Sequence, residues 1–284
     1  LFFSLVSTSL IASDKLNTNS YYFFLKHLSF ILLGIIFLLF FSILKQKTLI
    51  KISIIFFFIS FFCLFLVPFL GIEVKGSKRW LDPFFLPRFQ PIEILKPFFI
   101  IIISILLSLN NRKLYLKYIF SSGILIPILL LLISQPDLGQ SMLITLSWLA
   151  LIFVSGINIL LFFSFFVTAG ITVSYLVFFV PKFEYIKLRL ITFIDSSSGN
   201  NYQSEKASDA IINGGFFGKG IGEGTLNSRV PEAHTDYIIA VISEEFGVII
   251  VLSIIIIYLI FYYKVVQKIN FIHKSKFKLI LIGC

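Results

Sequence analysis

Apolar residues in this chain do not alternate with polar ones; they run in blocks. Near-continuous apolar stretches occupy residues 27 to 44, 52 to 71, 92 to 109, 118 to 135, 138 to 156, 159 to 180 and 236 to 263. Each is close to the roughly 20 residues a helix needs to cross a hydrocarbon core of about 30 Å. Backbone groups in lipid must be satisfied within the protein, so a spanning segment is a helix or part of a closed barrel. Unbroken apolar runs without period-two alternation select helices. The predicted fold is all-α: one membrane domain, residues 1–284, built as a polytopic helical bundle.

Shorter runs lie at 1 to 12 and from 277 to the end. No Met precedes the first, and the last stops in mid-helix at LILIGC. The chain is therefore expected to be a fragment, missing part of its first helix and the helices that would follow the ninth. A signal peptide fits the first run less well, because no basic flank precedes it and SLIASDKLN is a weak cleavage site.

Charge orients the bundle. The connections KQKTLIK (45 to 51), NNRKLYLK (110 to 117) and KVVQKINFIHKSKFK (264 to 278) carry 3, 3 and 5 Lys or Arg and no acid. By the excess of Lys and Arg in cytoplasmic loops, these three face the cytoplasm. The long loops 72–91 and 181–235 then lie outside. The net charge of +10 is mostly this topology signal, with some attraction to anionic lipid. Composition agrees: 58% of residues are hydrophobic, 17% aromatic, and the mean hydropathy is +0.99. There is no soluble basic domain to bind nucleic acid.

Two cysteines, Cys63 and Cys284, make no disulfide framework, and His27, His234 and His273 are scattered. The chain carries no phosphate-binding loop, dinucleotide fingerprint or internal repeat, which argues against ATP-driven and inverted-repeat transporters. The polar chemistry sits in the outer loops. IEVKGSKRWLDPFFLPRFQP (72 to 91) gathers Lys75, Lys78, Arg79 and Arg88 around Trp80 and leads into a helix opening with Glu93 and Lys96. The second loop holds NGGFFGKGIGEGT (213 to 225), whose glycines let backbone turn tightly and approach a ligand. It is followed by RVPEAHTDYIIAVISEEFG (229 to 247), an apolar segment with acids at its mouth and along its body.

GSKRWLDPFFLPRFQPIEILK, QPDLG (135 to 139), GGFFGKGIGEGT and VPEAHTDYIIAVISEEFG, four blocks in order, resemble those of the SEDS proteins (RodA, FtsW and SpoVE). The pairing of GEGT with SEEFG is most like FtsW; Tyr237 stands where Phe is more usual. The resemblance implies a bacterial inner-membrane peptidoglycan glycosyltransferase that polymerises lipid II, the undecaprenyl-pyrophosphate disaccharide-pentapeptide, at the outer face during division. It also implies a class B penicillin-binding protein transpeptidase, and other divisome proteins, as partners. No organic cofactor is implied. A divalent cation, Mg or Mn, on the pyrophosphate is chemically reasonable, but no ligand set identifies it.

Joining two lipid-linked sugars needs a base for the acceptor hydroxyl and cations for the leaving pyrophosphate. The presumed catalytic Asp of the family falls on Asp236, in HTD. Read alone, Asp236 or Thr235 is a cap for the eighth helix. Arg79 and Arg88 match basic positions of the family and suit phosphate oxygens; read alone, they are interfacial anchors. Gln90, Glu93, Lys96, Lys219, Glu232, His234 and Glu244 complete the expected substrate-binding set. Lys96 also pairs with Glu93 at i, i+3 spacing, and Lys219 and Arg229 also fit as solvated loop charges. Glu244 lies eight residues past Asp236, about 12 Å along a helix, too far for a carboxylate dyad. It reads as a pocket-lining or helix-pairing group, Glu245 as a structural partner, and Asp137 as a cap for the sixth helix. The alternative functions are a lipid II flippase and a divisome scaffold.

Overall fold

The computed structural model describes residues 20–74, 77–83, 87–109, 113–184, 186–188, 202–226 and 237–271. In chain order these form α1 (Ser20–Ile43), α2 (Gln46–Leu70), β1 (Ile72–Val74), β2 (Ser77–Trp80), α3 (Pro91–Leu107), α4 (Leu114–Ser134) and α5 (Leu138–Val154). They continue with α6 (Ile159–Phe179), a 3-10 turn at Pro181–Phe183, α7 (Tyr202–Gly214), α8 (Ile238–Phe246) and α9 (Val248–Phe271). Helices α1, α2, α4, α6 and α9 are long and apolar enough to cross a membrane; α3 and α5 have 17 residues each.

Three features differ from the sequence reading. The helix expected over 236 to 263 is two helices, α8 and α9, separated at Gly247, whose φ is +83°. The loop 72–91 contains an antiparallel hairpin, β1 against β2, with Ile72 opposite Trp80 and Glu73 opposite Lys78. Part of the loop 181–235 is helical, as α7. The runs at 1 to 12 and from 277 lie outside the described residues.

The chain divides into two compact units, one comprising 45–187 with 265–284 and the other 1–44 with 188–264. In the first, α3 is central: Ile92, Leu95, Phe99, Ile103 and Leu107, at spacings of three and four, are buried along one face. They belong to one core with Leu64 of α2, Ile128 and Leu132 of α4, and Ile144 and Trp148 of α5. Lipid tails are as apolar as leucine, so helices in a bilayer associate by close packing and hydrogen bonds rather than by escape from water. Buried serines supply both. Ser53, Ser60, Ser104, Ser121 and Ser141 all lie inside, and Ser121 Oγ accepts from Trp148 Nε1 at 3.2 Å, joining α4 to α5.

A proline shapes one end of this unit. Pro68 in α2 has no N–H, so the carbonyl four residues earlier, Leu64, lacks its helical donor. The side-chain amide of Gln135, at the end of α4, donates to that carbonyl at 3.3 Å. At α3's C-terminus Lys117 Nζ donates to Leu107 O at 3.0 Å, so one basic-loop lysine also caps a helix.

The second unit packs α7 on α8 through small side chains, Ala207 and Ala210 against Ala240 and Val241. Helix α1 presents large apolar side chains outward, among them Ile36, Leu38 and Ile43, as a lipid-facing helix does.

Candidate functional site

A polar network assembles where the hairpin, the start of α3 and the α4–α5 turn meet. The hairpin alternates Lys78 outward with Arg79 inward, toward the turn Gln135–Pro136–Asp137. Arg79 Nη2 donates to Pro136 O at 2.6 Å and Nε to Gln135 O at 3.4 Å, and Nε lies 3.7 Å from Asp137 Oδ2. Asp137 is the N-cap of α5, its Oδ1 accepting from the Gln140 amide at 3.4 Å. Its Oδ2 also accepts from Gln90 Nε2 at 3.3 Å. Gln90 precedes Pro91, the first residue of α3, and its side chain makes no cap there. One buried carboxylate thus joins three elements.

Beside it, Glu93, Lys96 and Gln140 close a ring. Lys96 Nζ lies 2.7 Å from Glu93 Oε2 and donates to Gln140 Oε1 at 3.0 Å. Gln140 Nε2 donates to Glu93 Oε1 at 2.6 Å. An ammonium has three donors, and among the described residues these partners take two.

Burial pushes the Asp137 carboxyl above its ordinary value of 3.8. The Arg79 guanidinium, the Gln140 amide and Lys96 oppose that rise, and the Glu93 charge adds to it.

Arg88, expected to face pyrophosphate, lies beside Asp82. The backbone bridge between Leu81 and Phe89 places the two side by side, Nη2 to Oδ2 at 3.4 Å, both largely exposed. Such a pair contributes about 0–1 kcal/mol. Lys219 is exposed, and its backbone N–H donates to Glu244 O at 2.9 Å.

In the other unit, Glu244 is fully buried at the centre of the glycine-rich turn. Its Oε1 accepts from Asn213 Nδ2 and from the Leu226 amide, each at 2.9 Å. Oε2 is buried and has no hydrogen-bond partner among the described residues. The Gly220 N–H donates to Glu245 O at 3.0 Å. The glycines close on protein: a Cβ at Gly214 would strike Ser243 O, one at Gly218 would strike Glu245 O, and one at Gly247 would strike Phe216 O. The two sequence blocks 213–226 and 243–247 form one structural unit, with Glu244 as its peg.

Asp236, Glu232, His234, Thr235 and Arg229 lie outside the described residues. Helix α8 begins at Ile238 with Tyr237 at the N-cap position, which supplies no side-chain hydrogen bond. Among the described residues no cluster of three or more His, Cys, Asp or Glu forms a metal-ligand set. Glu93 is engaged by Lys96 and Gln140, and Asp137 by Gln90, Gln140 and Arg79, so these two do not make a resident Mg or Mn site.

Sequence reasoning overlooked Gln140, Asn213 and Asp82. Gln140 had a signal: Asp137-Leu138-Gly139-Gln140 has the Asp-x-x-Gln spacing of a helix start. Its side chain, however, crosses to α3 rather than turning back to the cap.

The family model covering FtsW, RodA and SpoVE, described as cell cycle protein, matches residues 1–284. The chain is 33% identical over 193 residues to the probable peptidoglycan glycosyltransferase FtsW of Caulobacter vibrioides, covering 66% of this chain and 48% of that protein. It is 30% identical over 299 residues to the protein of the same description from Wigglesworthia glossinidia brevipalpis, covering 98% and 77%. For the Idiomarina loihiensis protein the figures are 30% over 263 residues, 89% and 63%. The chain thus spans 48% to 63% of the length of two of these three curated relatives. Among solved structures, a chain of a peptidoglycan synthase complex that coordinates polymerization and crosslinking superposes with a TM-score of 0.69 at 20% identity, covering 88% of this chain and 71% of that one. The rod shape determining protein RodA of Thermus thermophilus gives 0.63 at 18%, covering 99% and 78%. With the whole sequence matched and the helical fold shared, the chain belongs to the FtsW/RodA/SpoVE family of polytopic membrane proteins.

Proposed function

We propose that this protein is a peptidoglycan glycosyltransferase of the FtsW type, polymerising lipid II at the outer face of the bacterial cytoplasmic membrane during division. The observation that carries the reading is the network of Arg79, Asp137, Gln140, Lys96 and Glu93, which holds two cations beside the N-termini of α3 and α5. Fixed cations and helix N-termini suit a departing pyrophosphate. The relatives described as probable peptidoglycan glycosyltransferases support the same chemistry.

In this mechanism an acceptor sugar hydroxyl attacks the anomeric carbon of a lipid-linked donor. The new C–O bond forms as the bond from that carbon to the pyrophosphate oxygen breaks, and the pyrophosphate leaves with the electron pair. Asp236 takes the hydroxyl proton as general base. Lys96 and Arg79 offset the charge on the leaving group. Glu93 orients Lys96, Gln90 acts on Arg79 through Asp137, and Glu232 and His234, close to Asp236 in sequence, bind the acceptor side. No step is assigned to Arg88, which lies in an exposed pair with Asp82. A divalent cation carries none either.

The proposed partner is a class B penicillin-binding protein transpeptidase within a division complex. The structural neighbour in a complex that coordinates polymerization and crosslinking supports that pairing. The test is incubation of labelled lipid II with the full-length protein and this partner in vesicles. Glycan strands support a polymerase; movement of lipid II between leaflets without polymer supports the flippase instead.

A further inference from the structure

The last turn of α7 and the turn that follows it expose large apolar side chains where a solvated surface would carry polar ones. Ile212 is 78% exposed, Phe216 74%, Phe217 84% and Ile221 50%. Two adjacent phenylalanines so open to solvent form a patch that calls for a ligand or a surface.

The backbone of this turn is fixed to the beginning of a membrane helix. Gly215 O accepts from the Val248 amide at 3.0 Å, and Phe216 O from the Ile249 amide at 3.4 Å. Both are among the first N–H groups of α9, which have no intrahelical acceptor and must find one at a membrane boundary. The spanning part of α9, Val248–Ile269, has 22 residues, so its length of about 33 Å matches a hydrocarbon core of about 30 Å. Its first turn therefore lies at the hydrocarbon edge, and the turn that caps it lies at the same depth. From that edge onward α9 presents Ile249, Leu252 and Ile256 outward, the surface a lipid-facing helix shows. The exposed patch continues this surface sideways. Lys219, two residues past Phe217 and exposed, suits the phosphate layer just above.

We infer that residues 212–221 form a membrane-interface anchor, with Phe216 and Phe217 inserted among lipid acyl chains on the side of the membrane where α9 begins. This assignment does not depend on the chemistry proposed above. The glycines that lock the turn to α8 and α9 would then hold the anchor at a fixed depth.

The test places spin labels on the full-length protein in vesicles of phosphatidylethanolamine and phosphatidylglycerol. Phe217→Cys and, as a second reporter with an exposed side chain, Ile212→Cys are made with Cys63→Ser and Cys284→Ser. Glu223→Cys, on the same loop, is the aqueous control. Labels at 217 and 212 are expected to collide with oxygen several-fold more than with a water-soluble nickel chelate, and the label at 223 to show the reverse. Greater nickel access at 217 and 212 puts the turn in water and overturns the anchor. Protection from both reagents, meaning cover by protein, overturns it equally.

Discussion

The side-chain amide of Gln135 reaches 3.3 Å across to the Leu64 carbonyl, the one acceptor that Pro68 deprives of its helical donor. Gln135 is buried, so removing its amide strands that acceptor. Gln135→Leu should cost about 1–3 kcal/mol, read as thermal unfolding in detergent. Pro68→Ala restores an N–H to α2, so the double variant should lose less than the sum of the single losses. Simple additivity would contradict the pairing.

Asp137 predicts a pH dependence. Its carboxyl is raised above 3.8 by burial, so the folded state holds the proton more tightly than the unfolded chain does. The stability it contributes is full below 3.8 and is lost as pH rises through the raised value. The difference in melting temperature between wild type and Asp137→Asn, followed upward from about pH 4, should move against the wild type until pH passes the raised value and then level off. A flat difference would mean that burial does not set this carboxyl.

The ring of Glu93, Lys96 and Gln140 should behave as one unit. Lys96→Met and Gln140→Leu, alone and together, are expected to show a coupling of about 0.5–1 kcal/mol in stability, given the partial exposure of Glu93. On the proposed mechanism Lys96→Met also loses polymerase activity at folded protein levels equal to wild type, which a purely structural ring would not produce.

Glu244 acts through one oxygen. Oε1 accepts both bonds, so Glu244→Gln keeps the acceptor and should stay within about 1 kcal/mol of wild type. Glu244→Ala leaves the Leu226 amide and Asn213 without their acceptor and should lose about 2–3 kcal/mol. Equal losses in the two variants would show that the charge, not the acceptor, matters. Gly218→Ala, with φ at +79° and the Glu245 carbonyl against it, should destabilise as the alanine variant of Glu244 does.

The all-α fold was readable from the unbroken apolar runs, and local contacts carry a signal in the chain because they depend on near neighbours. Asp137 three residues before Gln140 and Glu93 three before Lys96 are such cases, and both pairs meet in space. The bond from Gln135 to Leu64 spans 71 residues, and nothing local announces it except the proline that creates its acceptor. The hairpin rests on strands of 3 and 4 residues, too short for period-two alternation to register. The break at Gly247 is invisible to hydropathy, since apolar residues continue on both sides. The glycines of 213–225 were readable as tight turns, but what they approach, the end of α8, depends on tertiary packing. Arg79 and Arg88 stand alike as arginines of one loop; the bridge between Leu81 and Phe89, which brings Arg88 beside Asp82, is a pairing that nothing local announces.

The central claim, that Asp236 removes the acceptor proton, is tested most directly by glycan synthesis from labelled lipid II. The full-length protein with its transpeptidase partner would be compared as wild type, Asp236→Ala and Asp236→Asn. Both variants are predicted to insert, bind the partner and lose polymer by at least about 10²-fold. Polymer formed at wild-type rate by either variant would contradict the account.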